Sequence, residues 1–282
     1  MRAPVAVQAA AEGTIVMSGS SRTVIDLNAD LGEGYGPWSM GEDAAMLGVV
    51  TSANVACGGH AGDPETMFRT ACLAVERGVS IGAHPGYADR EGFGRRIIPM
   101  APAEIGRMVA AQIGALQAVA ALAGTQVGYV KPHGALGNLA AADAGVAASI
   151  AGAVAKLPSP LPILAISGTA LEEAGRAAGL VVFSEIFADR AYLPNGQLVP
   201  RSRPDAMIDD AGAAAERLIG FLESGLMPVV DGSPIPLAAH SICVHGDSPG
   251  AVAMARRIRA DLEGHGLVLA PFLAGAAGGA AP

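Results

Sequence analysis

The sequence predicts an α/β fold whose parallel strands close into a barrel, and three observations carry this. Short runs rich in β-branched and aliphatic residues alternate about seven times with helical patterns, and parallel strands need such helical crossovers. Ionisable residues fall at the C-terminal ends of different runs. A closed barrel brings those ends to one mouth, whereas an open sheet gathers only the loops near its switch point. Size agrees: 282 residues, 51% hydrophobic and 16% charged, make a globular chain with a large core, and α/β barrels reach this length as single domains.

Residues 23–28, T-V-I-D-L-N, form the first predicted strand, opening into the loop A-D-L-G-E-G-Y-G. Asp26, Asn28 and Asp30 are spaced by two, so a pleat continued to Asp30 would put all three on one face. A helix is expected over 42–50 and a second strand over 51–56, ending in S-A-N-V-A-C-G-G-H-A-G-D-P. Asp63-Pro64 is a helix start, with Asp at the cap and Pro in the first turn, for a helix over 65–77 that Gly78 ends. The third strand, 79–83, empties into H-P-G-Y-A-D-R-E-G-F-G-R-R, a loop too long and too charged to be a simple connector.

A helix over 102–122 leads to the fourth strand, 127–130, which ends in K-P-H-G, and the next helix is expected over 141–156. Strand five, 161–166, precedes a helix over 171–178, and strand six, 180–184, delivers Glu185 and F-A-D-R. A Pro- and Gly-rich excursion follows, with a hairpin or lid expected around Asn195-Gly196. Residues 206–224 read as helix, 241–244 as the seventh strand ending in H-G-D, 249–264 as a last helix, and 267–270 as a stub of strand. With no internal repeat, the simplest organisation is one domain over 23–272, with an extension over 1–22 and a flexible low-complexity tail over 273–282.

Composition excludes several classes. Net charge is -8, and no run of Lys or Arg could follow a phosphate backbone, so no nucleic-acid partner is expected. Three cysteines without a C-x-x-C pair argue against a disulfide framework and for a reducing, cytoplasmic setting. The apolar part of residues 1–21 is broken by Gln8 and Glu12 and lacks a clean signal-peptide core. No segment reaches about 18 uninterrupted apolar residues, so no membrane span is expected. There is no G-x-x-x-x-G-K-[ST], hence no P-loop in this chain.

The chemistry sits at the strand ends. Four of the six histidines, His60, His84, His133 and His245, follow strands directly. Lys131, one of only two lysines, does the same, where it could stabilise an oxyanion or close a structural salt bridge. Asp26, Asp30, Glu33 and Glu185 could supply general acid and base, with capping the alternative, strongest for Glu33. Asn28, Asn54 and Asp247 are candidate substrate-binding residues. Arg95, Arg96, Arg190 and Arg201 lie in loops on the mouth side and suit a carboxylate or phosphate. Cys57 beside His60 reads as a buried, inert thiol more than a nucleophile. Asp26 or Asp30 with His60 and His84 would make an open metal site, although no fixed local spacing such as H-E-x-x-H supports it.

The segments I-D-L-N-A-D-L-G-E-G, S-A-N-V-A-C-G-G-H-A-G-D-P, I-G-A-H-P-G-Y-A-D-R-E-G-F-G-R-R, V-K-P-H-G-A-L-G-N, E-I-F-A-D-R-A-Y, L-V-P-R-S and I-C-V-H-G-D run in order from Ile25 to Leu269. Together they resemble the LamB/YcsF family, whose characterised bacterial members are the A component of an ATP-dependent 5-oxoprolinase. The resemblance implies a seven-stranded, TIM-like β/α barrel of the glycoside hydrolase/deacetylase type. It implies opening of 5-oxo-L-proline to L-glutamate with ATP hydrolysed by a complex containing partner subunits B and C. Homo-oligomerisation, a divalent metal and the component that binds ATP stay open.

On that resemblance, Asp26, Asp30 or His60 would orient water, and Lys131 with His133 would stabilise the oxyanion. His84 belongs to the same catalytic group. His245 or Glu185 would protonate the ring nitrogen, and Arg190 or Arg201 would hold the substrate carboxylate. The alternatives are a metal-dependent deacetylase-like amidohydrolase acting alone and a non-catalytic lactam- or sugar-binding subunit. Where the family carries an aromatic at position 59 and often Tyr at 137, this chain has Gly59 and Gly137, and Ala29 stands where cysteine is common. The two lost aromatics are expected to widen the pocket.

Overall fold

The computed structural model describes residues 23–246 and 250–275. The expected extension over 1–22, Asp247 and the tail beyond residue 275 lie outside the described residues. Seven parallel strands form the barrel: β1 (Val24–Leu31), β2 (Ser52–Ala56), β3 (Ser80–His84), β4 (Val127–Val130), β5 (Ile163–Ile166), β6 (Val182–Phe187) and β7 (Ser241–Val244). They pair in that order, and β7 closes on β1 with Asp26 opposite Ser241 and Asn28 opposite Cys243. The stub Val268–Leu269 pairs with the start of β1, outside the closed ring.

Around the barrel lie α1 (Asp43–Met46), α2 (Pro64–Arg77), α3 (Pro102–Leu122), α4 (Gly134–Ala142), α5 (Ala144–Ala155), α6 (Ala170–Ala177), α7 (Ala211–Ser224) and α8 (Ala251–Gly264). The core between helices and barrel is aliphatic. Ile25, Leu27, Ala29 and Leu31 of β1 point into it, as do Ile105, Val109, Ile113 and Leu116 of α3. Among the described residues α3 is the one helix long and apolar enough to cross a membrane, and here that apolar stripe is buried on the barrel.

Several boundaries differ from the sequence-based expectation, each for a local reason. The helix expected over 141–156 begins at Ala144, where the Asp143 carboxylate accepts from the Gly145 and Val146 amides and caps α5, and α4, unexpected from sequence, precedes it at 112°. Helix 42–50 shrinks to the four residues of α1. The helix expected from 206 begins at Ala211, where Asp210 accepts from the Ala213 amide. Strand β6 runs three residues further than expected and carries Glu185 inside it. The hairpin at Asn195-Gly196 is present, with Tyr192 bridged to Leu198 and Gly196 at φ 81°. Asp63 caps α2, receiving the Glu65 and Thr66 amides at 2.9 and 3.0 Å.

The barrel floor is filled by aromatics. Tyr129 of β4 lies across β3 at Gly82, where a Cβ would come within 2.3 Å of the ring, so only glycine fits. Phe272 and Phe183 pack against Tyr129 and Leu164 from below. Beside this plug, Asp26 is buried and accepts from Thr51 Oγ1 and Ser52 Oγ, each at 2.6 Å, and from Ser241 Oγ. Burial raises its carboxyl from 3.8 to about 6, against the three hydroxyls that lower it.

A carboxyl whose folded pKa is raised contributes stability that is complete below its unfolded pKa and lost as pH rises through the folded one. Asp26→Asn removes this titration. The stability difference, variant minus parent, is expected to shift in the variant's favour by about 2 kcal/mol between pH 4 and pH 7. Urea unfolding at the two pH values measures it, and an unchanged difference would show that Asp26 does not titrate there.

Candidate active site

Because β1 continues to Leu31, its pleat sends Asp26, Asn28 and Asp30 into the barrel, as their spacing predicts. Asn28 Nδ2 donates to Glu185 Oε1 at 2.9 Å and Ser241 Oγ at 2.7 Å, while its Oδ1 accepts from Asn54 Nδ2 at 2.7 Å. Asn54 also donates to Asp30 Oδ1 at 2.8 Å and accepts from the Tyr129 hydroxyl at 2.6 Å. Into this network β4 delivers Lys131. Its ammonium lies 2.9 Å from Glu185 Oε1, 3.1 Å from Asp30 Oδ1, 3.3 Å from Asn28 Oδ1 and 3.1 Å from Cys243 Sγ.

Burial alone would neutralise this lysine, but Asp30 and Glu185 hold it charged, well above the ordinary lysine range. Burial lifts the Cys243 thiol far out of reach of a thiolate, so the sulfur is a neutral acceptor. Asp30 shows the reciprocal effect: burial opposes ionisation, yet His84 and Lys131 hold its carboxyl well below the usual range. Burial raises Glu185, with Lys131 opposing. The Cys57 thiol, pushed up to about 12 by burial and bonded to the Val55 carbonyl, is inert.

Beside Asp30, Glu33 and three histidines form a buried cluster. His84 Nδ1 lies 2.7 Å from the Lys131 carbonyl, and His133 Nε2 lies 2.8 Å from the Phe93 carbonyl. Carbonyls only accept, so each of these nitrogens carries the proton. In the His133 ring, held neutral, Nδ1 is then a lone pair, and it faces His84 Nε2 at 3.0 Å. Asp30 Oδ2 is 3.3 Å from the first and Glu33 Oε1 3.5 Å from the second. His60 stacks on His133 at 3.5 Å, with Nε2 3.0 Å from Glu33 Oε1 and Nδ1 buried without a partner. Burial, then the neighbouring rings, lowers His133 to about 3 and His60 well below the histidine range, so both are neutral.

The His133 lone pair, His84 Nε2 and the carboxylate oxygens of Asp30 and Glu33 thus converge, and a proton on His84 Nε2 or a cation would bridge them. One ligand atom from each of Glu33, His60, His84 and His133 lies within 4.8 Å of all the others. For His84 and His133 the opposite ring nitrogen is anchored to a carbonyl, as ligand histidines require. These residues therefore fit a divalent metal ion. The set differs from the Asp plus two His expected from sequence: Glu33 and His133 join His60 and His84, and Asp26 lies on the floor.

Strands β6 and β7 supply the other wall. Their register pairs Phe187 with Cys243, so Asp189 and His245, two residues further on, sit side by side. His245 Nδ1 lies 2.8 and 2.7 Å from the two Asp189 oxygens, and burial notwithstanding, His245 keeps that carboxyl below the usual range. Arg190, 4% exposed, donates to the Val199 carbonyl at 2.6 Å and leaves Nε without a partner. Burial lowers its guanidinium to about 10, with Arg201 adding to the effect. From α7, Arg217 donates to the carbonyls of Phe187, Ala188 and Arg190 and fixes this turn.

A cavity of about 360 Å³ opens between the two walls. It is bordered by Asp30, His84, Arg95, Lys131, His133, Glu185, Arg190, Arg201 and His245, all singled out from sequence. Asp26, Asn28 and Asn54 lie in the barrel interior outside its lining, and His60 is covered by His133. Glu33 and Phe93 line the cavity although the sequence marks Glu33 mainly as a turn residue and Phe93 not at all. Asp189 is visible in the sequence only as part of F-A-D-R. The expected widening at Gly59 is absent. Gly59 does not border the cavity, and a Cβ there would meet the Gln112 amide and the Gly86 carbonyl at 2.6 Å. Gly137 does border it, with its missing Cβ directed at the Pro132 carbonyl.

Comparison with known proteins agrees over nearly the whole described chain. A profile of the LamB/YcsF family matches residues 25–276. A protein of Gluconobacter oxydans that bears the name of the A component of 5-oxoprolinase is 51% identical over 245 residues, covering 87% of this chain and 96% of the relative. One of the same name from Paracidovorax citrulli is 52% identical over 248 residues, covering 88% and 99%. The crystal structure of a lactam utilization protein from Thermus thermophilus superposes with a TM-score of 0.83 at 42% identity, covering 88% of this chain and 99% of that one. The chain belongs to the LamB/YcsF family.

Proposed function

We propose that this chain is the lactam-opening component of an ATP-dependent 5-oxoprolinase, which converts 5-oxo-L-proline to L-glutamate in a complex with subunits B and C. The observation that carries the reading is one cavity holding a fixed cation, an oriented histidine and a buried arginine, in a chain whose relatives bear that name. ATP is hydrolysed by the complex as a whole. Three free cysteines suit a cytoplasmic setting.

In this reading Arg190, with Arg201 beside it, grips the substrate carboxylate through its fork. The lactam carbonyl oxygen faces Lys131, whose charge is already fixed and meets the developing oxyanion without reorganisation. Asp30, held ionised, orients the attacking water. The γ-phosphoryl group of ATP passes to the lactam carbonyl oxygen and ADP leaves. Water oxygen then bonds to the carbonyl carbon and gives its proton to Asp30, the carbon–nitrogen bond of the ring breaks as the nitrogen takes a proton from His245, which Asp189 orients, and a second water displaces phosphate from the resulting glutamyl phosphate. Asp26, Asn28 and Asn54 hold the floor beneath these groups.

A second reading, a metal-dependent amidohydrolase, is favoured by the Glu33, His60, His84 and His133 cluster. Those four residues would hold a divalent ion, which supplies Lewis-acid polarisation of an amide carbonyl or a water of lowered pKa.

Reconstitution with B and C, following glutamate formation and ATP hydrolysis, tests the first reading. Omitting this chain is expected to abolish glutamate formation, and binding of 5-oxoproline without turnover in the full complex would instead mark a non-catalytic role. His245→Gln is expected to lower kcat by about 10²–10⁴-fold with an unchanged melting temperature, and parental kcat would remove its role as proton donor. For the metal, elemental content of the purified chain and activity before and after chelation decide. Loss on chelation with recovery on adding one divalent ion supports the cluster's role, and activity through complete metal removal overturns it.

A further inference from the structure

Phe93 is the one described non-glycine residue with positive φ, at 53°, and it sits against the histidine cluster. A left-handed backbone at a bulky residue costs free energy and persists only where its surroundings enforce it. Here they do. Asp89 accepts from the Gly92 amide at 3.1 Å and from Arg96 Nε at 3.0 Å, and its carbonyl takes the Gly94 amide at 2.8 Å. The Gly94 carbonyl in turn receives the Ala135 amide at the start of α4. Gly94 is itself left-handed, at φ 61°, and a Cβ there would stand 2.6 Å from His60 Cβ and 2.9 Å from His133 Cδ2.

What the strained turn accomplishes is to aim one carbonyl. Phe93 O receives the proton of His133 Nε2 at 2.8 Å, which leaves Nδ1 as a lone pair directed at His84 and Glu33. The phenyl ring lies edge-on to His60 and His133, at 5.6 and 5.4 Å, and carries Arg95 on its face at 5.0 Å. We propose that Phe93 is a positioning residue: its left-handed backbone fixes the tautomer and orientation of His133 and thereby sets the cation affinity of the Glu33, His60, His84 and His133 cluster. The second half rests on that cluster's ability to hold a divalent ion, and the first half does not.

The substitutions Phe93→Gly, Phe93→Ala and Phe93→Val separate backbone from ring. Glycine adopts the left-handed conformation freely, alanine reluctantly and a β-branched residue least of all. Ring-nitrogen NMR shifts of His133 report the tautomer, and calorimetry with Zn²⁺ reports affinity. Phe93→Gly is expected to keep the Nε2–H tautomer and to bind Zn²⁺ within about threefold of the parent. Phe93→Val is expected to show mixed tautomers and affinity about 10–100-fold weaker, with alanine between. Should the valine variant not fold, the glycine–alanine pair decides by the same criterion. Parental tautomer and affinity in the alanine and valine variants overturn the proposal, as does loss of the tautomer in the glycine variant, which would assign the role to the ring. If the parent takes up no Zn²⁺, the metal reading fails, and the ring-nitrogen shifts alone decide the role of Phe93.

Discussion

A single ammonium group ties four strands of this barrel together. Lys131 reaches from the end of β4 to Asp30 of β1, Glu185 of β6 and Cys243 of β7 within 3.1 Å. Removing a cation from water is costly unless good geometry and further hydrogen bonds compensate, and here both carboxylates and Asn28 do so. The same contacts limit the sequence. Strand β1 must carry Asp30 and Asn28 facing inward, and β6 must carry Glu185, or the lysine is left buried with too little negative charge. Many barrels fill this layer with branched aliphatic side chains. This one fills it with amides, hydroxyls and charges, and keeps its aliphatic packing outside.

That arrangement divides the mouth into two chemically distinct walls. On the β1–β4 side His60 and His133 are neutral, and His133 points a lone pair at His84 Nε2. On the β6–β7 side a histidine is held against a carboxylate and an arginine lies buried. Lys131 stands between them as a fixed positive charge. Histidines in two unlike environments thereby border one cavity, and unlike environments are what separates acid from base roles.

Much of this is legible in the sequence because strands impose a period of two and end in recognisable places. The D-x-N-x-D spacing of β1 identifies an inward polar stripe, and the strand-end histidines and Lys131 can be gathered at one mouth before any pairing is known. Pairings themselves are not legible. Asp189 meets His245 because β6 and β7 are neighbours in a particular register, two chain segments more than fifty residues apart. Glu33 lies beyond its strand in a Gly-rich turn, where a capping carboxylate and a functional one look alike. The break at Asp143 is hidden in an alanine-rich stretch whose local preference is helical throughout. The left-handed turn at Phe93 has no compositional mark, since tertiary contacts with Asp89 and Ala135 impose it.

Closure of the ring by β7 carries a consequence for how the molecule comes into being. Residues 241–245 arrive late in the chain yet supply Ser241 to Asp26 and Asn28, Cys243 to Lys131 and His245 to Asp189. Until they dock, β1 and β6 expose open edges and the buried charges lack part of their shell. Shape and chemistry are thus completed in one event, so a nascent chain halted before that strand would be an aggregation hazard rather than a weak catalyst.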